Sequence, residues 1–422
     1  MCIRDRSTDE TIDWTPPARP EWLARVNDEG RGMDIASVIP LGARELIETA
    51  MAKTGLSNFG DDDWREPFEI LVASLEKEAE LNLFGRLMTR SDLLIWLEER
   101  LQIEEAFRQH PEIDDEVVDA PVFIVGQPRS GTSILFELLS ADRRFGAPMN
   151  WEIMFPCPPP QAATYRSDPR IAKAHHLLTQ WHRVAPSFLS MHELGATIPN
   201  ECKVAMNCTF VSDNLTGLFQ VPGYYAWLAQ ADLTGAYVYY KRMLKLLQWR
   251  NPRAHWLLKS PSHTESLPVL FKVFPDARVV YTHRDPLKAR ASVTNLLGTL
   301  YWMRSDKPFD ASSFERVLTP EAYAFSLDRV IDQIETGEVP RNQIHDFLFA
   351  DLMRDPLAAL TQLYGKLDLS FPEQARQAVT DYLAHKPPGK FGQNVYTVGD
   401  SALIARALFA RYQRFHGVPD EA

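Results

Sequence analysis

The segment Pro121 to Ser133, PVFIVGQPRSGTS, constrains this chain more than any other stretch. Its apolar run from Val122 to Val125 is too short for a helix and lacks the alternation of a half-solvated strand. It reads as a strand buried on both faces, the kind found inside a parallel sheet. A turn bounded by Gly126 and Gly131 follows, then a helical stretch from Thr132 to Ser140. Strand, glycine turn and helix in that order bring several backbone N–H groups and a helix N-terminus to one point, which makes an anion site. The GxxxxG spacing is that of the phosphate loop in which the second glycine is followed by Lys and then Ser or Thr. Here Thr132 stands in the lysine's place, and the one cation, Arg129, comes three positions earlier. The amide cradle is kept, while its charge arrives from another side.

Two further strand-to-helix units follow, at HWLLKSP and at ARVVYTHRDP, where Arg278 to Thr282 is rich in β-formers and Asp285 with Pro286 reads as a helix start. Repetition of that unit predicts an α/β fold with a central parallel sheet flanked by helices. The preceding text is different. From Ile35 to His110 apolar residues recur at helical spacing, as in Phe68, Leu71, Leu75 and again Leu93, Leu94, Leu97, Leu101, and the Asp61 to Asp63 run reads as a solvated loop. The expected organisation is a poorly ordered leader over 1–34, a helical N-terminal region over 35–118, and the α/β domain over 119–422. Within that domain, Arg166 to Leu247 reads as helical and aromatic-rich, and Ala402 to Phe415 as a closing helix. Glu265 reads as a capping-box partner of Ser262.

At 422 residues and 45% apolar, the chain can bury an enzyme-sized core. A formal charge of −11 argues against a nucleic-acid or anionic-membrane partner, so any anionic ligand must be met by a local basic cluster. Cys2, Cys157, Cys202 and Cys208 show neither paired metal spacing nor a disulfide framework, which suggests reduced thiols and a cytoplasmic setting. No run is long and apolar enough to span a bilayer, and HExxH and DxDxDG motifs are absent, so no metal is expected.

PRSGTS, with its basic residue inside the turn, resembles the 5′-phosphosulfate loop of sulfotransferases that use 3′-phosphoadenosine 5′-phosphosulfate, PAPS. In that family a strand ends in arginine with a serine eight residues on, and Arg284 and Ser292 in THRDPLKARASV fit the pattern. The stretch from WLLKSP to THRDP is similar to tyrosylprotein sulfotransferases, and bacterial sulfotransferases with a helical N-terminal region match over most of the chain. Their shared segments appear here at His192 to Gly195, Asn200 to Cys202 and Phe409 to Phe415. The resemblance implies the P-loop sulfotransferase fold, with PAPS as co-substrate and no metal. It implies donor contacts from Arg129, Ser130, Gly131, Thr132 and Ser133, a 3′-phosphate site at Arg284 and Ser292, and a weaker carry-over to Lys390 and Tyr396. The tail PPGKFGQNVYTVGD lacks the Arg-Lys-Gly signature of the cytosolic enzymes.

By the same resemblance Lys259 meets charge on the leaving oxygen, and Glu152 in GAPMNWEIMF is the proton acceptor. His263 and His192 are rivals for that role, since imidazole titrates near neutrality. His283 is expected to orient the end of its strand. The expected reaction is metal-independent in-line transfer of a sulfonate to a hydroxyl or amine of a small-molecule, carbohydrate or lipid acceptor. Phe188, Tyr224, Tyr225 and Trp227 would line an apolar acceptor pocket or simply belong to the core. The alternatives are a P-loop nucleotide kinase or ATPase, against which the missing lysine counts, and a catalytically silent PAPS-binding scaffold. The sequence leaves the acceptor and the oligomeric state open.

Overall fold

The computed structural model describes residues 14–191, 193–310, 319–385 and 405–421; the side chains of residues 190 and 288–292 fall outside the description. Five strands form one parallel sheet in the order β2-β3-β1-β4-β5: β1 Val122–Gly126, β2 Phe145–Gly146, β3 His255–Lys259, β4 Arg278–His283 and β5 Ile344–Leu348. Every residue of β1 is buried, as a short apolar run between two partner strands requires. From β1 the chain moves to β2 and β3 on one side of the sheet and later to β4 and β5 on the other. The carboxyl end of β1 is therefore a switch point, where open parallel sheets carry their ligand crevice.

Two β1 registers position the site. Ile124 lies opposite Lys259, the last residue of β3, and Gly126 lies opposite Thr282 near the end of β4. The loop leaving β1 thus has the end of β3 on one flank and the end of β4 on the other. The helix after the loop runs over Thr132–Ser140, the stretch predicted from sequence. The helix after β4 begins with Pro286 at its first position, and the Asp285 carboxylate accepts the Leu287 N–H as N-cap.

The upstream helices do not form a core of their own. Leu71, Leu97 and Leu101 share one continuous apolar cluster with Phe123 of β1, Leu258 of β3 and Val279 of β4. The long helix Leu83–Gln109 is capped by Asn82, whose carbonyl oxygen accepts the Gly85 N–H. At Gly85 a Cβ would fall 1.9 Å from the Arg304 carbonyl oxygen, so no larger residue fits that crossing.

The expected leader is corrected over its later part. Glu21–Gly30 is a helix with Leu23 fully buried against Val184, Phe188 and Trp302, and Asn27 accepts the Phe84 N–H. The acidic run is no plain solvated loop either: Asp62–Trp64 is a 3₁₀ turn, and the Asp63 carboxylate accepts from the buried Arg100 guanidinium. Ser260, not Ser262 with Glu265, caps the 3₁₀ turn Pro261–Glu265. The closing helix is shorter than expected, Ala410–His416 behind a 3₁₀ turn at Ala407–Phe409. Among the described residues Cys157, Cys202 and Cys208 are free, and no helix is long and apolar enough to cross a membrane.

Candidate active site

The loop from Gly126 to Ser133 is built by its own backbone chemistry. Gln127 to Ser130 closes a turn in which the Ser130 N–H donates to the Gln127 carbonyl, with Pro128 second and Arg129 third at φ 70°. A positive φ at the third residue is the demand of a type II turn, usually met by glycine. An arginine there carries backbone strain of order 1–3 kcal/mol, the kind concentrated at functional sites. Gly131 follows at φ 94°, and a Cβ on it would fall 2.4 Å from the Phe349 ring. Gly126, at φ 149°, has Thr282 Oγ1 where its Cβ would be, at 2.2 Å. Both glycines are dictated by sterics, and together they turn the first amides of the Thr132–Ser140 helix toward the crevice.

Side chains from both flanking strands close on this loop. Lys259 Nζ donates to Ser133 Oγ at 3.3 Å and to Glu201 Oε1 at 2.6 Å. On the other flank the Arg284 guanidinium donates to the Arg129 carbonyl at 3.3 Å and lies over the Phe349 ring. Arg284 also makes a bidentate pair with the carboxylate of Glu421, Nε to Oε1 at 3.0 Å and Nη2 to Oε2 at 2.9 Å. An arginine fork that takes up a carboxylate in this way has the geometry to take up a phosphate. Arg129 and Ser133 are exposed, whereas Lys259 is 3% exposed, so one cation is solvated and the other held dry against the loop.

Of the loop residues expected to contact the donor, Ser130 has another occupation. Its hydroxyl donates to the Gln127 carbonyl and lies 2.7 Å from Thr282 Oγ1, fastening the loop to β4. Thr132 is buried within the first helical turn. Ser292 belongs to the helix Pro286–Trp302, with its side chain outside the description. Lys390, Tyr396 and His192 lie outside the described residues.

Glu152, expected as the proton acceptor, lies in a closed polar cluster. It is fully buried; Oε1 accepts from Arg253 Nη2 at 2.5 Å, and Oε2 accepts from the Tyr165 hydroxyl at 2.6 Å and the Met149 N–H at 3.0 Å. Each oxygen accepts from a protein group and the side chain is buried, so Glu152 faces its own neighbours and not the loop. Burial raises its pKa against the opposing pull of Arg253. His263 is also buried, beside Tyr237, whose hydroxyl is 2.6 Å from Nδ1. Desolvation lowers its pKa to about 3, which makes its ring a weak proton acceptor. The residue the sequence reading missed is Glu201. Its only signal was membership of the Asn200 to Cys202 segment.

His283 does hold the strand end: its Nδ1 is 2.7 Å from the Tyr412 hydroxyl, and its Nε2 lies 2.9 Å from Asp346 Oδ1. His416 Nδ1 reaches the same oxygen at 3.0 Å, making His283, Asp346 and His416 the one group of possible metal-ligand atoms among the described residues. The other Asp346 oxygen takes the Arg341 guanidinium at 2.5 Å, so hydrogen bonds already hold the three together. Tyr224 and Phe188 are core residues, the former with its hydroxyl donating to the Phe210 carbonyl. A cavity of about 400 Å³ opens between Glu99, Phe155, Cys157 and Arg170, and no loop residue lines it.

The sequence of residues 121–373, more than half the chain, matches the model of the sulfotransferase family. The chain belongs to that family, and its enzyme class is sulfotransferase. It is 26% identical over 304 residues to the omega-hydroxy-beta-dihydromenaquinone-9 sulfotransferase Stf3 of Mycobacterium bovis, an alignment covering 68% of this chain and 73% of that protein. Among solved structures, sulfotransferase STF1 of Mycobacterium tuberculosis superposes with TM-score 0.73 at 29% identity, covering 87% of this chain and 97% of that one. Sulfotransferase STF9 of Mycobacterium avium gives TM-score 0.74 at 26% identity over 90% of this chain and 97% of its own. The parallel sheet with flanking helices and the helical N-terminal region are thus those of bacterial sulfotransferases.

Proposed function

We propose that the sulfonate donor is PAPS, with its 5′-phosphosulfate on the amides of Gly131, Thr132 and Ser133 and its 3′-phosphate on Arg284. The observation that carries this reading is the Arg284 fork. A carboxylate, Glu421, already sits on it in bidentate fashion, and the same guanidinium reaches the carbonyl of Arg129, so one cation links the anion site to the loop. Ser292 eight residues on and the exposed Arg129 complete the donor contacts in this proposal.

Lys259 supplies the electrostatics of transfer. It is dry, at a strand end, and in contact with the loop through Ser133, which is where negative charge grows on the leaving oxygen as the bond to sulfur breaks. Fixed cations of this kind can serve a group that carries less charge than a phosphoryl, so the proposed transfer is in-line and needs no metal. The acceptor is a hydroxyl or amine on a small molecule, carbohydrate or lipid. A hydroxylated isoprenoid lipid fits the name of the Stf3 relative. The setting proposed is the cytoplasm, with no nucleic-acid partner.

The test is transfer of label from radiolabelled PAPS to a metabolite and lipid extract in the presence of a chelator. The expected result is an organic sulfate formed together with PAP, the 3′,5′-bisphosphate product. Phosphate transfer from ATP under magnesium, with no organic sulfate, would replace this reading with that of a kinase.

A further inference from the structure

Lys259 is one link in a chain of three groups. A carboxylate, Glu201, lies 2.6 Å from its ammonium, and a hydroxyl of the phosphate loop, Ser133, lies 3.3 Å from the same nitrogen. Glu201 is 14% exposed at its side chain, where Glu152 is 0%. A dedicated scaffold holds it there. Asn200 N–H donates to the Pro148 carbonyl at 2.9 Å, Asn150 N–H donates to the Ile198 carbonyl at 3.0 Å, and Met149 and Pro199 form an isolated antiparallel bridge. The Glu152 carboxylate fixes the Met149 N–H at the far side of that bridge. The two segments GAPMNWE and IPNEC thus pair in space, and the pairing presents Glu201, not Glu152, to Lys259, which touches the loop.

We propose that Glu201 is the proton acceptor of the transfer, and that Glu152 is a positioning residue acting on it through Met149 and Pro199. The proposal rests on the reading of PAPS as donor. The acceptor O–H gives its proton to the Glu201 carboxylate, and the freed electron pair of that oxygen forms the bond to sulfur. The bond from sulfur to the bridging oxygen breaks, its pair leaving on the 5′-phosphate of PAP. Lys259 lies between the two charges, paired with Glu201 before the step and with the leaving phosphate as charge accumulates there. The same ammonium thereby couples release of the base to departure of the leaving group. Charged and titratable groups around Glu201 include Lys259 on β3, Lys203 at 3.4 Å, Cys202 and His263, and Asp213 lies near Lys203.

The test pairs PAP titration calorimetry with transfer from radiolabelled PAPS to naphthol and to water, read as organic sulfate and inorganic sulfate. In Glu201→Gln, PAP affinity should stay within about threefold while transfer falls at least ~100-fold, the scale of a lost general base. The acid limb of the kcat profile should vanish with it, and Glu201→Asp should restore part of the rate with that limb present. Glu152→Gln should lower thermal stability yet keep the acid limb. Transfer within threefold of the parent in a PAP-binding Glu201→Gln variant, or loss of the acid limb in Glu152→Gln instead, would overturn the proposal. If Glu201→Gln does not bind PAP, the Asp variant decides: an unshifted acid limb at full rate counts against it. A parent chain that binds no PAP defeats the donor reading and the proposal with it; one that binds PAP and sulfates neither probe defeats the proposal alone.

Discussion

Two buried carboxylate–cation pairs can be compared across this molecule, Glu152 with Arg253 and Glu201 with Lys259, and they are built to opposite ends. The first is sealed: both Glu152 oxygens are occupied, by a guanidinium on one side and by a tyrosine hydroxyl and a backbone amide on the other. The second is shared: its ammonium also touches a loop hydroxyl, and a second cation, Lys203, stands 3.4 Å from the carboxylate. A sealed pair fixes backbone, because moving either partner strands a charge in the interior. A shared pair can exchange partners when a new anion arrives. Desolvation and a charge partner are common to both pairs, and they differ in whether the cation also touches the loop.

The largest expected effect tests the sealed pair. Arg253→Ala leaves the Glu152 carboxylate buried without its cation and should cost about 3–5 kcal/mol of stability in chemical denaturation. Lys259→Ala should cost clearly less, because Lys203 still faces Glu201, while transfer from PAPS is lost; equal destabilisation by the two changes would erase the contrast. A smaller effect concerns the buried histidines. Burial lowers the pKa of His263 to about 3 and of His283 to about 4. The unfolded chain therefore takes up protons near pH 6.5 that the fold refuses, so this stability is present above about pH 6.5 and drains away as the pH falls toward the folded values. Each histidine contributes up to ~1.4 kcal/mol per pH unit in that window, and melting curves should show the midpoint dropping between pH 7 and 5. The smallest effect concerns the carboxylate on the donor side. Glu421→Gln removes a partly buried competitor from Arg284 and should tighten PAP binding about two- to fivefold, measured by calorimetry.

Much of the donor side was legible because its signals are local. The buried strand Val122 to Gly126, the turn glycines and the helix Thr132–Ser140 sit within twenty residues, and the steric need for Gly131 shows in the sequence as a glycine ahead of a helix. Arg284 was legible from its place at a strand end, although its reach to the Arg129 carbonyl was not. The surroundings of the two glutamates were not legible because their contacts are long-range: Glu201 meets Lys259 across 58 residues, and Glu152 meets Arg253 across 101. Spacing after the loop favoured Glu152, and nothing local reveals an arginine that seals it. The helix Glu21–Gly30 was missed although Trp22, Leu23 and Val26 carry helical spacing; one buried leucine anchors it, too short a stripe to stand out beside the longer helices.

A loop with Arg129 in its turn and Arg284 on its flank should take PAPS and not a nucleoside triphosphate. Metal-free calorimetry with PAP and with ATP, on the parent chain and on Arg284→Ala, tests it most directly. The parent should bind PAP saturably, at least ~30-fold more tightly than the variant, as loss of a charge-assisted fork worth about 2 kcal/mol would give, with ATP far weaker than PAP. ATP binding without PAP binding, or PAP affinity indifferent to Arg284, would contradict it.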